Sequence, residues 1–287
     1  MIDLSLIPVA WLYGFAAVFG LICGSFFNVV IGRLPKMMEL AWQRECAHSQ
    51  GAQVSVSPAY NLAVPASHCP HCNTPVSMRD NIPLLSFLLL KGKCRHCQVP
   101  ISLRYPLIEL ASAVLIVGVF AAFGFTLTAL AYTLLLWILL ILSAIDIDHM
   151  LLPDQLTLPL LWLGLLGAVT VLPVSPTAAI IGAVAGYLFL WSLYWLFKLL
   201  TGKEGLGYGD FKLLAALGAW LGWQLLPLII LLASATGAVI GIGMMVLGKK
   251  GQGSPIPFGP FLALGGVLAL FIGEQLYQWY WQWAGIL

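Results

Sequence analysis

The chain has 287 residues, of which 61% are hydrophobic and only 8% are charged, whereas about 25% of the residues of an ordinary soluble domain are charged. A mean hydropathy of +0.96 excludes a soluble globular protein and indicates a polytopic membrane protein. The charges are concentrated in residues 33–104, which carry eight Lys or Arg and three Asp or Glu, a net charge of +5. With its other 215 residues mostly apolar, the chain is not expected to bind nucleic acid through a basic surface.

Uncharged stretches of the sequence predict where the chain crosses the membrane, because a spanning helix needs about 20 apolar residues. Turns are expected where Gly124, the Pro173 and Pro176 pair, and Gly222-Trp223-Gln224 interrupt the longer stretches. The sequence therefore predicts an all-α membrane protein with about eight transmembrane helices. These lie near 4–32, 106–123, 127–145, 156–172, 177–199, the two arms of 213–248, and 259–280. Whether the arm 213–222 is a full span or a half-helix is left open.

The distribution of Lys and Arg predicts the orientation, because these residues are concentrated in cytoplasmic loops. Placing the basic segment 33–104 in the cytoplasm puts the N-terminus outside. Eight crossings then return the loops 146–155, 201–212 and 248–257 to the cytoplasm, so that every Lys and Arg lies on one side.

The basic segment contains two matched cysteine pairs, Cys69-Pro-His-Cys72 and Cys94-Arg-His-Cys97, with 21 residues between them. Two such knuckles at this spacing predict a tetrahedral zinc site with four thiolate ligands. Disulfides are disfavoured in a cytoplasmic loop. Because four cysteines complete the coordination and leave no position for substrate, the predicted zinc is structural and would stabilise a loop too small for its own core.

Acidic residues near the hydrocarbon are costly and indicate functional sites. One group follows the predicted third span, in Asp146-Ile-Asp148-His-Met-Leu-Leu-Pro-Asp154, and the other is Gly207-Tyr208-Gly209-Asp210. Both lie on the cytoplasmic side in the predicted topology. Two carboxylates that share one proton can activate water and protonate a peptide carbonyl oxygen at the same time.

The residue pattern does not by itself fix the members of such a pair. Asp210 is the clear candidate in its loop, whereas Asp146 is only slightly favoured over Asp148, because it lies closer to the hydrocarbon. Asp154 precedes an apolar stretch and is predicted to be the N-cap of the next helix.

In combination, these motifs resemble those of the bacterial type IV prepilin peptidases, the GxGD-type membrane aspartic proteases of the type IV pilus and type II secretion systems. The resemblance covers nearly the whole chain. It is carried by Gly24-Ser25-Phe26-Phe27-Asn28-Val29-Val30, the four cysteines, Ala144-Ile-Asp146 with Leu152-Pro153-Asp154, Gly207-Tyr208-Gly209-Asp210, and Pro257-Phe258-Gly259-Pro260.

The resemblance implies that Asp146 and Asp210 are the catalytic residues, with Gly207 and Gly209 supporting them. It implies cleavage of the basic leader of prepilins and pseudopilins at the cytoplasmic face of the bacterial inner membrane, between a glycine and usually a phenylalanine. It further implies methylation of the new N-terminal amine with S-adenosylmethionine, a reaction that the family associates with a pair matching Gly92 and Lys93. The expected partners are these substrates and membrane lipid.

The sequence is accordingly divided into a first span (1–32), a cytoplasmic loop with the zinc site and a methyltransferase role (33–104), and a membrane aspartic peptidase domain (105–287). A peptidase without methyltransferase activity is the first alternative. A Mg²⁺-dependent membrane prenyltransferase, with Asp146, Asp148 and Asp154 on a diphosphate, is a second. A proton-coupled transporter is a third, disfavoured because no acid lies near mid-membrane and no inverted repeat is seen.

Overall fold

The computed structural model describes residues 8–50, 60–203, 205–247 and 256–285. Within these residues the chain is helical, and its only β-pairing consists of two isolated bridges in residues 60–103, which we call the cysteine-rich loop. The helices are α1 (Val9–Ser49), α2 (Leu85–Leu89), α3 (Arg104–Phe123), α4 (Leu127–His149), α5 (Asp154–Thr170), α6 (Pro176–Thr201), α7 (Tyr208–Leu221), α8 (Leu226–Val246) and α9 (Gly259–Trp283). The prediction of an all-α architecture is confirmed.

Six helical segments of the described chain are long and apolar enough to cross a membrane: α1, α3, α4, α6, Trp223–Val246 and α9. The protein is therefore a multi-pass membrane protein. Two other predicted spans correspond to shorter helices, α5 with 17 residues and α7 with 14. The predicted count of about eight spans is not confirmed by helix length, because both fall short of about 20 residues.

Packing divides the chain into two units, one ending at Gly124 and the other beginning at Phe125. In the first unit α1 packs against α3, and the buried Ser112 hydroxyl donates a hydrogen bond to the Gly20 carbonyl oxygen at 2.7 Å. The amide of Asn28 donates to the carbonyl oxygen of Tyr105 at 3.0 Å.

The first helix extends well beyond the predicted span 4–32, through Pro35 to Ser49. Good helix formers such as Met, Glu, Leu and Ala continue it past the first charged residues. The side chain of Arg33 is buried and donates to the backbone carbonyl oxygens of Asn61 and Leu62, at 3.0 and 3.3 Å. The polar segment therefore begins as a helix, and its first charged side chain, Arg33, is hydrogen-bonded to backbone carbonyl groups of the loop that follows.

The second unit is built around α4 and α7, whose residues are largely buried. Helix α7 packs against α5, α6 and α9, and the Trp220 indole N–H donates to the Leu160 carbonyl oxygen of α5 at 2.8 Å. Gly222, with φ of +83°, ends α7 and begins the turn to α8, as the sequence predicts. These contacts enclose a short helix whose first turn carries Asp210.

Candidate active site and metal site

Asp146 lies in the last turn of α4, where its side chain is buried with a residue exposure of 5%. The backbone N–H of Gly259, at the start of α9, donates a hydrogen bond to its Oδ2 atom at 3.0 Å. A residue 113 positions later in the chain thus fixes the orientation of this carboxyl group.

Asp210 is the third residue of α7 and is also buried, with 7% of the residue exposed. Its Oδ2 atom accepts a hydrogen bond from the backbone N–H of Gly207 at 3.1 Å. An acidic side chain at this position commonly reaches back to the residue that precedes the helix. The Gly-Tyr-Gly-Asp sequence therefore forms a helix start that holds its own carboxylate.

The structure brings Asp146 and Asp210, the carboxylate pair, into electrostatic contact. Asp210 lies outside the membrane-spanning helices. Burial raises the pKa of Asp210, the neighbouring Asp146 raises it further, and the Gly207 hydrogen bond lowers it, with a resulting pKa of about 7. Because like charges this close oppose each other's ionisation, the carboxylate pair can hold one proton near neutral pH.

The buried side chain of Leu152 lies beside Gly209 at the start of α7 and beside Gly259 at the start of α9. A Cβ atom at Gly209 would lie 2.7 Å from Leu152 Cβ, and one at Gly259 would lie 2.7 Å from Asp146 Oδ2 and 3.0 Å from Leu152 Cδ2. Glycine is needed at both positions because the Leu152 side chain and the Asp146 carboxylate occupy the space that a larger side chain would fill. At Gly207 a Cβ atom would lie 3.4 Å from Asp210 Oδ2, an ordinary contact.

The other two aspartates of the first group lie outside this arrangement. Asp148 belongs to the last turn of α4 and is exposed, whereas Asp146 is buried. The predicted N-cap role of Asp154 is wrong, because Pro153 occupies that position and Asp154 is the first residue of α5. Its carboxylate instead accepts hydrogen bonds from Lys212 Nζ at 2.6 and 2.7 Å, which ties the start of α5 to α7.

The two cysteine knuckles have the same backbone structure. In the first, Cys69 N–H donates to Thr74 O at 3.0 Å and Asn73 N–H donates to Cys69 O at 2.9 Å. In the second, Cys94 N–H donates to Val99 O at 2.9 Å and Gln98 N–H donates to Cys94 O at 3.1 Å. Each knuckle therefore presents two Sγ atoms from one tight turn.

The four Sγ atoms of Cys69, Cys72, Cys94 and Cys97 lie within 4.8 Å of one another. The Cys69–Cys97 and Cys72–Cys94 Sγ separations are 3.7 and 4.0 Å, close to the ~3.8 Å expected for thiolates about 2.3 Å from one tetrahedral zinc ion. Hydrogen bonds with the side chain and backbone of Thr74 lower the pKa of Cys72 to about 6, which favours the ligating thiolate. The cluster could therefore bind a metal, and its geometry fits the predicted zinc.

Gly92 and Lys93 connect α2 to the second knuckle. Gly92 has φ of +69° and donates its N–H to Phe87 O at 2.9 Å, while its carbonyl oxygen accepts from Ile101 N–H at 2.7 Å. Lys93 is exposed and its backbone pairs with that of Pro100. The glycine thus forms a left-handed turn that presents the lysine at the surface.

Comparison with known proteins gives matches to two family models, Bacterial Peptidase A24 N-terminal domain over residues 18–123 and Type IV leader peptidase family over residues 133–242. Relatives named prepilin leader peptidase/N-methyltransferase include one from Aeromonas hydrophila, 56% identical over 94% of each chain. Another, from Pseudomonas aeruginosa, is 54% identical over 93% of this chain and 92% of the relative. A third, from Burkholderia pseudomallei, is 52% identical over 94% and 89%. No solved structure gives a significant match.

This chain belongs to the type IV leader peptidase family. The A24 N-terminal match ends at the last residue of α3, next to Gly124, where the two packing units divide. The four cysteines fall within that match, and the carboxylate pair falls within the leader peptidase match. The family resemblance inferred from the motifs is confirmed.

Two residues of the candidate active site have no role in the sequence-based prediction, although they belong to quoted motifs. Gly259 supplies the N–H that binds Asp146, and Leu152 separates the glycines beside the two acids. Outside this site, in the first unit, Glu109 is buried in the second turn of α3 and also has no role in the sequence-based prediction. Its signal in the sequence is an acidic residue at the start of an apolar stretch.

Proposed function

We propose that this chain cleaves the leader peptide of type IV prepilins and pseudopilins and then methylates the new N-terminal amine. The relatives are named for these two activities, and the leader peptidase match contains both members of the carboxylate pair. The observation that carries the proposal is the electrostatic interaction between two buried carboxyl groups from α4 and α7, one of which has a pKa of about 7.

In the proposed mechanism, Asp146 and Asp210 share one proton and act on a water molecule. The ionised carboxylate removes a proton from the water as its oxygen attacks the carbonyl carbon of the scissile bond, while the protonated member donates its proton to the carbonyl oxygen. The C–N bond then breaks as the carboxyl group that took the water's proton gives it to the departing amine, and the other carboxylate regains a proton from a hydroxyl group of the tetrahedral intermediate. This scheme needs neither a covalent intermediate nor a metal at the scissile bond.

The proposed orientation places the carboxylate pair at the cytoplasmic face of the bacterial inner membrane. Asp146 ends a membrane-spanning helix, and the nearby cation Lys212 follows Asp210 in α7. Basic residues accumulate on the cytoplasmic side. A prepilin with an apolar helix in the bilayer and a basic leader in the cytoplasm would present its scissile bond at this depth.

The proposed methyl transfer uses the cysteine-rich loop. S-adenosylmethionine, when bound, would supply the methyl group to the new N-terminal amine, and its sulfur would leave as a neutral thioether. The turn at Gly92 keeps Lys93 exposed beside the second knuckle. We assign zinc to Cys69, Cys72, Cys94 and Cys97, where it would hold both knuckles in one position and leave the chemistry to other groups.

The proposed function is tested by incubating the purified protein with a full-length prepilin in detergent, with and without S-adenosylmethionine. Intact-mass analysis of the pilin is expected to show loss of the leader in both samples. A further mass increase of one methyl substitution is expected only with the methyl donor.

The two activities are tested separately by this design. A prepilin whose mass remains unchanged would contradict the peptidase assignment. A pilin that loses its leader but gains no methyl group in the presence of S-adenosylmethionine would support the alternative of a peptidase without methyltransferase activity.

A further inference from the structure

The short helix α2 has an exposed apolar face in the cysteine-rich loop. Leu85, Leu88 and Leu89 are 49%, 71% and 72% exposed, and their i, i+3 and i+4 spacing places them on one side of a helix. The other side faces the loop, since Ser86 is buried and the Phe87 ring lies against Gly92. We name the exposed side, formed by Leu85, Leu88 and Leu89, the α2 leucine face.

A buried hydrogen bond fixes the depth of α2 along a membrane-spanning helix. The backbone N–H of Leu84, which directly precedes α2, donates to Glu109 Oε2 at 2.9 Å. Glu109 is 8% exposed and its carboxylate also accepts a hydrogen bond from the Ser25 hydroxyl of α1. The start of α2 is therefore attached to α3 directly and to α1 through the Glu109 carboxylate.

The position of Glu109 in α3 indicates how deep in the membrane the start of α2 lies. The 20 residues of α3 begin at Arg104, and a helix of that length matches about 30 Å of hydrocarbon. Glu109 lies five residues after Arg104, about 7.5 Å along the helix axis. Helices that lie in the membrane interface bury their apolar face about 5–10 Å into the boundary between headgroups and acyl chains.

Charged residues next to the α2 leucine face fit the same environment. Lys91 and Lys93 follow α2 within four residues and are both exposed. Long basic side chains can place their stems along apolar surface while the ammonium groups reach the headgroup phosphates. The segment thus combines apolar side chains with flanking cations at the level of the bilayer boundary.

We propose that the α2 leucine face inserts into the lipid bilayer at its cytoplasmic boundary, at a depth set by the bond between Leu84 and Glu109. The occupant of this face is the acyl chain region of the lipid. The contact holds the cysteine-rich loop against the membrane surface, where a substrate with a membrane-embedded helix presents its N-terminus.

Photo-crosslinking in vesicles of phosphatidylethanolamine and phosphatidylglycerol tests the proposal. The full-length protein carries p-benzoylphenylalanine at position 88 or, as the matched control, at position 71, an exposed residue of the first cysteine knuckle. A second probe at position 85 repeats the measurement on another exposed leucine. After irradiation, intact-mass analysis counts adducts that contain a whole lipid molecule.

Lipid adducts are expected at positions 88 and 85 in at least about tenfold excess over position 71. Glu109→Ala is expected to reduce the lipid-adduct yield at position 88 several-fold, because the depth of α2 is no longer fixed. Glu109→Gln is expected to retain this yield, because the amide oxygen still accepts a hydrogen bond from Leu84 N–H.

Equal lipid yields at positions 88 and 71 would overturn the proposal. So would crosslinks from position 88 to residues 125–287 or to a second copy of the chain. The assay uses no substrate, so its outcome is separate from that of the proposed function.

Discussion

At the residue scale, the decisive contrast is between Asp146 and Asp148. Two positions on a helix are separated by about 200°, so only one of these side chains can face the core. Asp146 is 5% exposed and accepts a hydrogen bond from Gly259 N–H, whereas Asp148 is exposed. The residue pattern alone only slightly favours Asp146, because the contact that separates the two aspartates comes from α9, far along the chain.

The raised pKa of Asp210 predicts a pH-dependent cost to stability. The pKa of about 7 in the folded protein exceeds the ordinary value of 3.8, so the folded state keeps a proton that the unfolded state has released. Stability therefore falls as pH rises from about 4 to about 7. Asp210→Asn removes this cost, and its melting temperature in detergent is expected to exceed that of the wild type at pH 8 by more than at pH 5.

The control for this measurement is Asp148→Asn, which neutralises an exposed carboxylate near the same site. Its melting temperature is expected to follow that of the wild type across the pH range. A stabilisation by Asp210→Asn that is equal at pH 5 and pH 8 would contradict the assigned pKa.

Lys93 allows the two proposed activities to be separated. Because its side chain is exposed in the cysteine-rich loop, Lys93→Ala is expected to leave the rate of leader cleavage within about twofold of the wild type. The rate of methylation is expected to fall at least about tenfold, which corresponds to a rise of roughly 1.4 kcal/mol in the activation free energy. Both rates are measured on one prepilin by mass analysis, and Lys91→Ala is the matched control. Equal losses of cleavage and methylation would instead indicate a general structural defect.

At the element scale, the sequence predicts most helices but not their tertiary contacts. The turns at Gly124 and Gly222 and the start of α9 at Gly259 occur as predicted, because glycine and uncharged length are local signals. The extension of α1 to Ser49 was not predicted, since its polar second half has no apolar signature. The role of Asp154 was also missed, because its partner Lys212 lies 58 residues away.

The start of α9 provides a test of how tightly the candidate active site is packed. A Cβ atom at Gly259 would lie 2.7 Å from Asp146 Oδ2, so Gly259→Ala must displace the carboxylate or the helix. Displacements of about 1 Å in an active site can reduce rates about 100-fold, and a loss of leader cleavage of that order is expected. The control is Gly243→Ala in α8, where a Cβ atom would meet nothing within 4 Å. Wild-type cleavage by Gly259→Ala would contradict this packing.

At the scale of the whole molecule, the proposed activities map to different packing units. The four cysteines lie in the unit that ends at Gly124, and the carboxylate pair lies in the unit that begins at Phe125. This division separates the proposed peptidase chemistry of the aspartate pair from the loop whose structure the proposed zinc would stabilise.

Because the four cysteines and the carboxylate pair lie in different packing units, the metal site can be altered and its effects on the two activities compared. Cys69→Ser is expected to lower the zinc content below one ion per chain by metal analysis and to reduce methylation, because one of four thiolates is lost. Leader cleavage is expected to persist, since the carboxylate pair lies in the other unit. Cys46→Ser, which alters a cysteine outside the cluster, should retain full zinc content. A wild-type protein purified without zinc would contradict the assignment of this metal.

The most direct test of the central proposal is the cleavage of one prepilin by Asp146→Asn and Asp210→Asn, with Asp148→Asn as the matched control. Asparagine preserves the size of each side chain but cannot take up or release the shared proton. Intact-mass analysis is expected to show full-length prepilin with the first two variants, although both remain inserted in the membrane, and a shortened pilin with the third. Normal cleavage by either Asp146→Asn or Asp210→Asn would contradict the assignment of the carboxylate pair.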